Sequence, residues 1–126
     1  MSDRNKIMLS FPVLGDQSGN MYKFMQLNTD GQVLLQDSAS TACCGVLMSV
    51  DGDATGKVVP VQIGGIARVE ASATIAVGAL VSSTTDGLAV TASGAVYPQG
   101  MCVVGGDDGD LIEVLLFQGQ SQNNAG

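Results

Sequence analysis

The chain has 126 residues, 12 of them acidic and 5 basic, for a net charge of −7, and it contains no His and no Trp. That length fits one ordinary domain, and the absence of His removes imidazole bases, His-containing triads and His-ligated zinc. The acidic balance disfavours nucleic acid and anionic membrane surfaces, which recruit Lys and Arg to displace counterions.

The first twenty residues carry one short apolar patch, Ile7, Met8, Leu9, Phe11, Pro12, Val13 and Leu14, interrupted by Ser10 and by Pro12 itself. It is too short for a signal segment with its cleavage site and far too short to span a bilayer. Proline suits an extended arm or an edge strand rather than a central strand, and both readings stay open. As an arm, residues 1–20 reach up to roughly 65 Å, enough to lie across a neighbouring subunit by strand addition. This patch is the partner-facing candidate.

Residues 21–117 read as a single β domain. Four Asp-Gly steps, Asp30-Gly31, Asp51-Gly52, Asp86-Gly87 and Asp108-Gly109, lie between apolar segments, and Asp-Gly favours turns with positive φ. They predict hairpins joining Met21–Leu27 to Gln32–Gln36, Cys44–Val50 to Val58–Ile63, Ala79–Ser83 to Leu88–Thr91, and Gly100–Val104 to Leu111–Phe117. In Lys57–Ala71, alternation predicts a further hairpin about Gly64-Gly65. A three-residue loop there pairs Ile63 with Ala67, Val61 with Val69 and Val59 with Ala71, which leaves Gln62 and Arg68 outside and one face wholly apolar. Pro60 then points to an edge or a bulge. The Ala-rich stretch Ala71–Ala95 reads as strand, because Thr, Val, Ser and Gly break its helical face. The sum is about nine or ten short strands and an all-β fold. A weak echo links Gly45–Val50 and Val58–Gly64 to Gly100–Val104 and Leu111–Phe117; it reads as convergence of hairpins on common chemistry. Residues 118–126, QGQSQNNAG, have no hydrophobic anchor and read as a disordered polar tail.

Catalytic and metal constellations are weak. Cys43, Cys44 and Cys102 are odd in number and lack Cys-x-x-Cys spacing, so they read as small apolar side chains. Asp51/Asp53 and Asp107/Asp108/Asp110 offer oxygen ligands but not a calcium loop, and turn chemistry accounts for them. Lys6, Lys23 and Lys57 lack Ser-x-x-Lys spacing. Glu70 and Glu113 read as solvent-facing members of alternating strands. Gly64-Gly65 and Gly105-Gly106 lack phosphate-loop spacing. No metal, cofactor or enzymatic activity is expected. A surface-displayed carbohydrate-binding module is the alternative function, with Phe11, Tyr22, Phe24, Tyr97 and Phe117 the available aromatics.

Three segments carry a family resemblance: VPVQIGGIARVEA at Val59–Ala71, IAVGALVSSTTDGLAV at Ile75–Val90, and GDLIEVLLF at Gly109–Phe117. Across residues 45–117 the chain resembles small head decoration, or capsid cement, proteins of tailed phages. The resemblance implies a compact small barrel or β-clip-like unit. It also implies homotrimers on the outside of a phage capsid, bound to the major capsid protein and bridging capsomers; the acidic balance separately argues against nucleic acid or membrane partners.

Overall fold

The computed structural model describes residues 6–37, 44–50, 55–93 and 98–117. The expected tail 118–126 and the turn at Asp51-Gly52-Asp53 lie outside them. Ten strands and no helix form among the described residues: β1 Ile7–Pro12, β2 Phe24–Leu27, β3 Val33–Leu35, β4 Gly45–Leu47, β5 Val58–Gly64, β6 Ile66–Glu70, β7 Leu80–Ser83, β8 Ala89–Thr91, β9 Gly100–Val104 and β10 Leu111–Leu116. They build two five-stranded antiparallel sheets, ordered β1-β5-β4-β2-β3 and β6-β10-β9-β7-β8. The all-β expectation holds, and the two sheets do not close into a barrel.

The strands flanking all four Asp-Gly steps pair as predicted. Leu27 stands opposite Val33, Leu47 opposite Val61, Ser83 opposite Ala89, and Glu113 opposite Val104. Local chemistry fixes the first and third turns in the same way. The Asn28 side-chain oxygen accepts the backbone N–H groups of Asp30 and Gln32 at 2.9 Å each. Thr84 Oγ1 accepts those of Asp86 and Leu88 at 3.1 Å each. Gly31 and Gly87 then take φ of 77° and 76°, a region glycine enters without a Cβ penalty.

The fifth hairpin does not form. β5 pairs with β1 and β4, whereas β6 pairs with β10. At Gly64-Gly65 the chain instead crosses from one sheet into the other, with Gly65 at φ 78°. Gln62, expected outside, is fully buried. Its Nε2 donates to the carbonyls of Gly64 and Ile66 at 2.9 and 3.0 Å, so it holds the corner. Arg68 is exposed as expected. Pro60 is neither at an edge nor at a bulge: β5 lies between β1 and β4. Pro60 sits just beyond the end of β4, where Met48 N–H donates to its carbonyl at 3.2 Å. A reciprocal donor is not required at a strand's end, which is why proline is tolerated there.

The two sheets are copies of one design. Replacing β1–β5 by β6–β10 in sequence turns the first strand order into the second. The registers match strand for strand: Leu9 faces Val61 as Ala67 faces Val114, and Met25 faces Gly45 as Val81 faces Gly100. Past the first strand of each sheet, a parallel bridge reaches the opposite edge strand, Val13 to Val33 in one and Ala71 to Ala89 in the other. Tyr22 N–H bonds Leu47 O, and Gly78 N–H bonds Cys102 O, both at 2.8 Å. Tyr22, at φ 66°, is the positive-φ non-glycine residue among those described, and its counterpart Gly78 has φ 91°. Convergence of isolated hairpins does not produce this agreement. The sequence echo is the visible part of a repeat of the whole five-strand unit.

Each unit has its own inward face. Val13, Met25, Val33, Leu47, Val59 and Val61 form the buried cluster of the first. Their counterparts Ala71, Val81, Ala89, Cys102, Ile112 and Val114 lie in the buried cluster of the second. Two residues from the outward face of the first sheet, Phe24 and Val46, join that second cluster. The first unit thus plugs its back into the second, and β4 lies against β6.

Candidate functional site

The structure divides the N-terminal patch. Six consecutive residues, Ile7–Pro12, pair with β5, so the segment is an edge strand of its own chain rather than a free arm. Period-two alternation sends Phe11 towards the first unit's core, where it is half-buried, while Val13 is fully buried. Ile7, Met8, Leu9 and Leu14 remain exposed at 45, 42, 48 and 42 % of their surface, and Pro12 is exposed beside them. Among the described residues no strand pairs with the outer rim of β1 from Ile7 to Pro12, so its backbone groups and its apolar side chains are offered together. Such an edge receives another strand or another apolar surface.

A second apolar row was not singled out from sequence. Leu80, Met101, Leu115 and Ile66 stand side by side across β7, β9, β10 and β6. They are exposed at 39, 37, 41 and 37 %. Arg68 and Glu113 face each other directly beside this row, an opposite-charge cross-strand pair that suits a polar rim.

The remaining candidates are absorbed by the fold. Cys102 is fully buried in the second unit's core, while Cys44 packs half-buried against the first. Burial pushes the Cys44 thiol up to about 11. It also raises Cys102, against a smaller opposite effect of a hydrogen bond with the Val104 backbone. Both are therefore neutral thiols near pH 7, poor nucleophiles. Cys43 lies outside the described residues. Asp110 accepts the Asp107 N–H at 2.8 Å and Asp107 accepts Thr74 Oγ1 at 3.1 Å, so these carboxylates bind their own turn. Among the described residues no group of three His, Cys, Asp or Glu side chains is arranged to hold a metal ion. Glu70 and Glu113 sit on adjacent strands, but Glu113 faces Arg68 and Glu70 faces Leu111. Phe24 is fully buried and Phe11, Tyr22 and Phe117 are half-buried, so none of these four stands out as an aromatic platform for sugars. Tyr97 lies outside the described residues.

No protein-family model matches the sequence, and no curated protein matches it. Among solved structures, the fold is similar to the head fiber gp8.5 N base of bacteriophage phi29, with a TM-score of 0.62 and 14 % identity over 94 % of this chain and 99 % of that one. At that identity the likeness shows a shared fold.

Proposed function

We propose that this chain is a non-enzymatic structural protein of a phage virion, seated on the outside of the capsid. The observation that carries the reading is the shared fold with a phage head fiber base over almost the full length of both chains. The three sequence segments that resemble head decoration proteins point the same way. In this reading the partner is the major capsid protein. The chain bridges capsomers as a homotrimer, and it uses neither cofactor, nucleic acid nor membrane. It is made in the host cytoplasm and works on the particle. The exposed β1 rim, Ile7–Leu9 and Leu14, supplies a partner-facing surface. Many copies bound around an icosahedral shell sum weak contacts into tight retention.

The test compares particles with and without the protein. The expected result is surface density that disappears with the protein, together with a lower temperature of DNA release and lower resistance to osmotic shock. Particles unchanged in density and resistance would overturn the reading. The carbohydrate-binding alternative predicts retention of defined sugars on a glycan array, and the placement of Phe11, Tyr22, Phe24 and Phe117 argues against it.

A further inference from the structure

The repeat makes the exposed row on the second sheet interpretable. In the first sheet the corresponding row is Phe24, Val46, Gln62 and Met8, aligned across β2, β4, β5 and β1. The first three of these are fully buried: Phe24 and Val46 join the second unit's cluster, and Gln62 donates to the Ile66 carbonyl of β6. Their counterparts in the second sheet are Leu80, Met101 and Leu115, with Ile66 in the place of Met8, and all four are exposed. The same design presents the same face twice, covered once and open once.

The receiving side is also duplicated. Within the chain, Val46 and Phe24 share one buried cluster with Ala67 and Val69 of β6. The counterparts of Ala67 and Val69 are Leu9 and Phe11 of β1. Ala67 is 1 % exposed, whereas Leu9 is 48 % exposed and Phe11 is half-buried. Each molecule therefore carries one open plug, the Leu80–Met101–Leu115–Ile66 row, and one open socket along β1.

We propose that the plug of one molecule docks on the β1 socket of a second copy of this chain, repeating between molecules the contact that joins the two units within one. The occupant follows from the existing interface. The surface that receives the equivalent row, Phe24 and Val46, is already present in the chain, and its own counterpart on β1 is open at Leu9. The two patches differ from each other, so the contact is heterologous: copies close into a ring or run on as a filament. The intermolecular version is the weaker of the two. Within the chain Glu70 N–H donates to Tyr22 O at 3.0 Å; the counterpart of Glu70 is Pro12, which has no N–H to give. Reversible association of copies is therefore expected, beside a permanent union of units. This docking follows from the repeat and not from the virion reading; it gives the inward side of β1 to a neighbouring copy, and self-association measured beside particle binding separates the two.

The experiment uses the full chain and three variants. Leu9→Cys and Met101→Cys occupy the positions equivalent to Ala67 and Val46. Mild oxidation of the two single variants mixed together is expected to give a disulfide-linked species containing one of each, at least tenfold above the amount formed by either alone. Native mass spectrometry of the unmodified chain is expected to show a concentration-dependent oligomer. Met101→Asp, at an exposed position, is expected to lower that oligomer at least tenfold and leave the melting temperature of dilute protein unchanged. A chain that stays monomeric at high concentration overturns the proposal. So does a Met101→Cys variant that links only to itself, which marks a back-to-back contact. So does a Met101→Asp chain that still self-associates but no longer binds particles, which assigns the row to the shell.

Discussion

Gly45 and Gly100 hold equivalent places in the two units, and replacing either by alanine tests the repeat at its tightest point. A Cβ on Gly45 would collide with the Gln62 carbonyl oxygen and stand 2.8 Å from Val61 Cγ1. A Cβ on Gly100 would collide with the Leu115 carbonyl oxygen and stand 2.6 Å from Val114 Cγ1. Carbon atoms at rest sit about 3.5–4.0 Å apart, so each neighbour must retreat by about 1 Å. Neither carbonyl belongs to a flexible side chain. Both lie on central strands paired on two sides, so the retreat stretches a ladder. Overpacking of a fitted core costs about 1–3 kcal/mol, and a backbone obstacle places these substitutions at the upper end. About 3 kcal/mol corresponds to a fall in Tm of about 12 °C for a chain of this size. Gly19, with nothing within 4 Å of its added Cβ, is the control, and Gly19→Ala is expected to stay within about 0.5 kcal/mol of wild type. Thermal melts followed by circular dichroism, with urea titrations of the same proteins, give the comparison. If Gly45→Ala and Gly100→Ala both melt within 2 °C of Gly19→Ala, the close strand approach is wrong; if one is severe and the other neutral, the equivalence of the units is wrong.

Other outcomes follow from named contacts. Phe24→Ala, at a fully buried position joining the two units, should cost about 3–5 kcal/mol. Its exposed counterpart Leu80→Ala should cost less than about 0.5 kcal/mol in dilute solution; equal losses in urea melts would contradict the different burial of the two rows. Tyr22 holds φ 66°, so Tyr22→Gly should be more stable than Tyr22→Ala by about 1 kcal/mol, since both remove the ring and only alanine keeps the Cβ strain; the reverse order would refute it. The folded Cys44 thiol keeps its proton up to about 11 against an ordinary 9.0. Between those values the unfolded chain has lost a proton that the folded chain retains, so stability falls as pH rises through that window. The urea midpoint should drop from pH 8.5 to pH 10.5, and Cys44→Ala should flatten the slope.

The parts legible in the sequence are those set by neighbouring residues. Asn28 to Gly31 and Thr84 to Gly87 close their own turns with their own side chains, so their hairpins were readable. Gly64-Gly65 carries the same turn signal, yet the partners of the flanking strands lie far along the chain. Alternation records which face is buried and not which strand is the neighbour, and Gln62, a polar residue, looked like a surface position until its two carbonyl partners were known. The repeat was legible only as a faint echo, because equivalent positions keep geometry while changing chemistry: Asn28 against Thr84, Tyr22 against Gly78, Pro60 against Glu113. The apolar patch Ile7–Leu14 was visible as a run. The row of Leu80, Met101, Leu115 and Ile66 was not, since each residue lies among other apolar residues of its own strand and only the sheet brings the four together.

The direct passage of β5 into β6 through Gly65 also poses a folding problem. β1 and β6 are built for equivalent slots, one beside β5 and the other beside β10. During folding β6 meets β5 first, across a loop of a few residues, whereas its proper partner β10 sits at the far end of its unit. Short loops close faster than long ones, so the local hairpin is the kinetic competitor of the native crossing. In the slot that β1 fills, Arg68 would take the place of Ser10 opposite Pro60 and forfeit Glu113, its native facing residue. Native β1, Gln62 at the corner and the Arg68–Glu113 pair each tilt the outcome towards the crossing. A fold made of two like halves needs such asymmetries, so that each strand finds its own half.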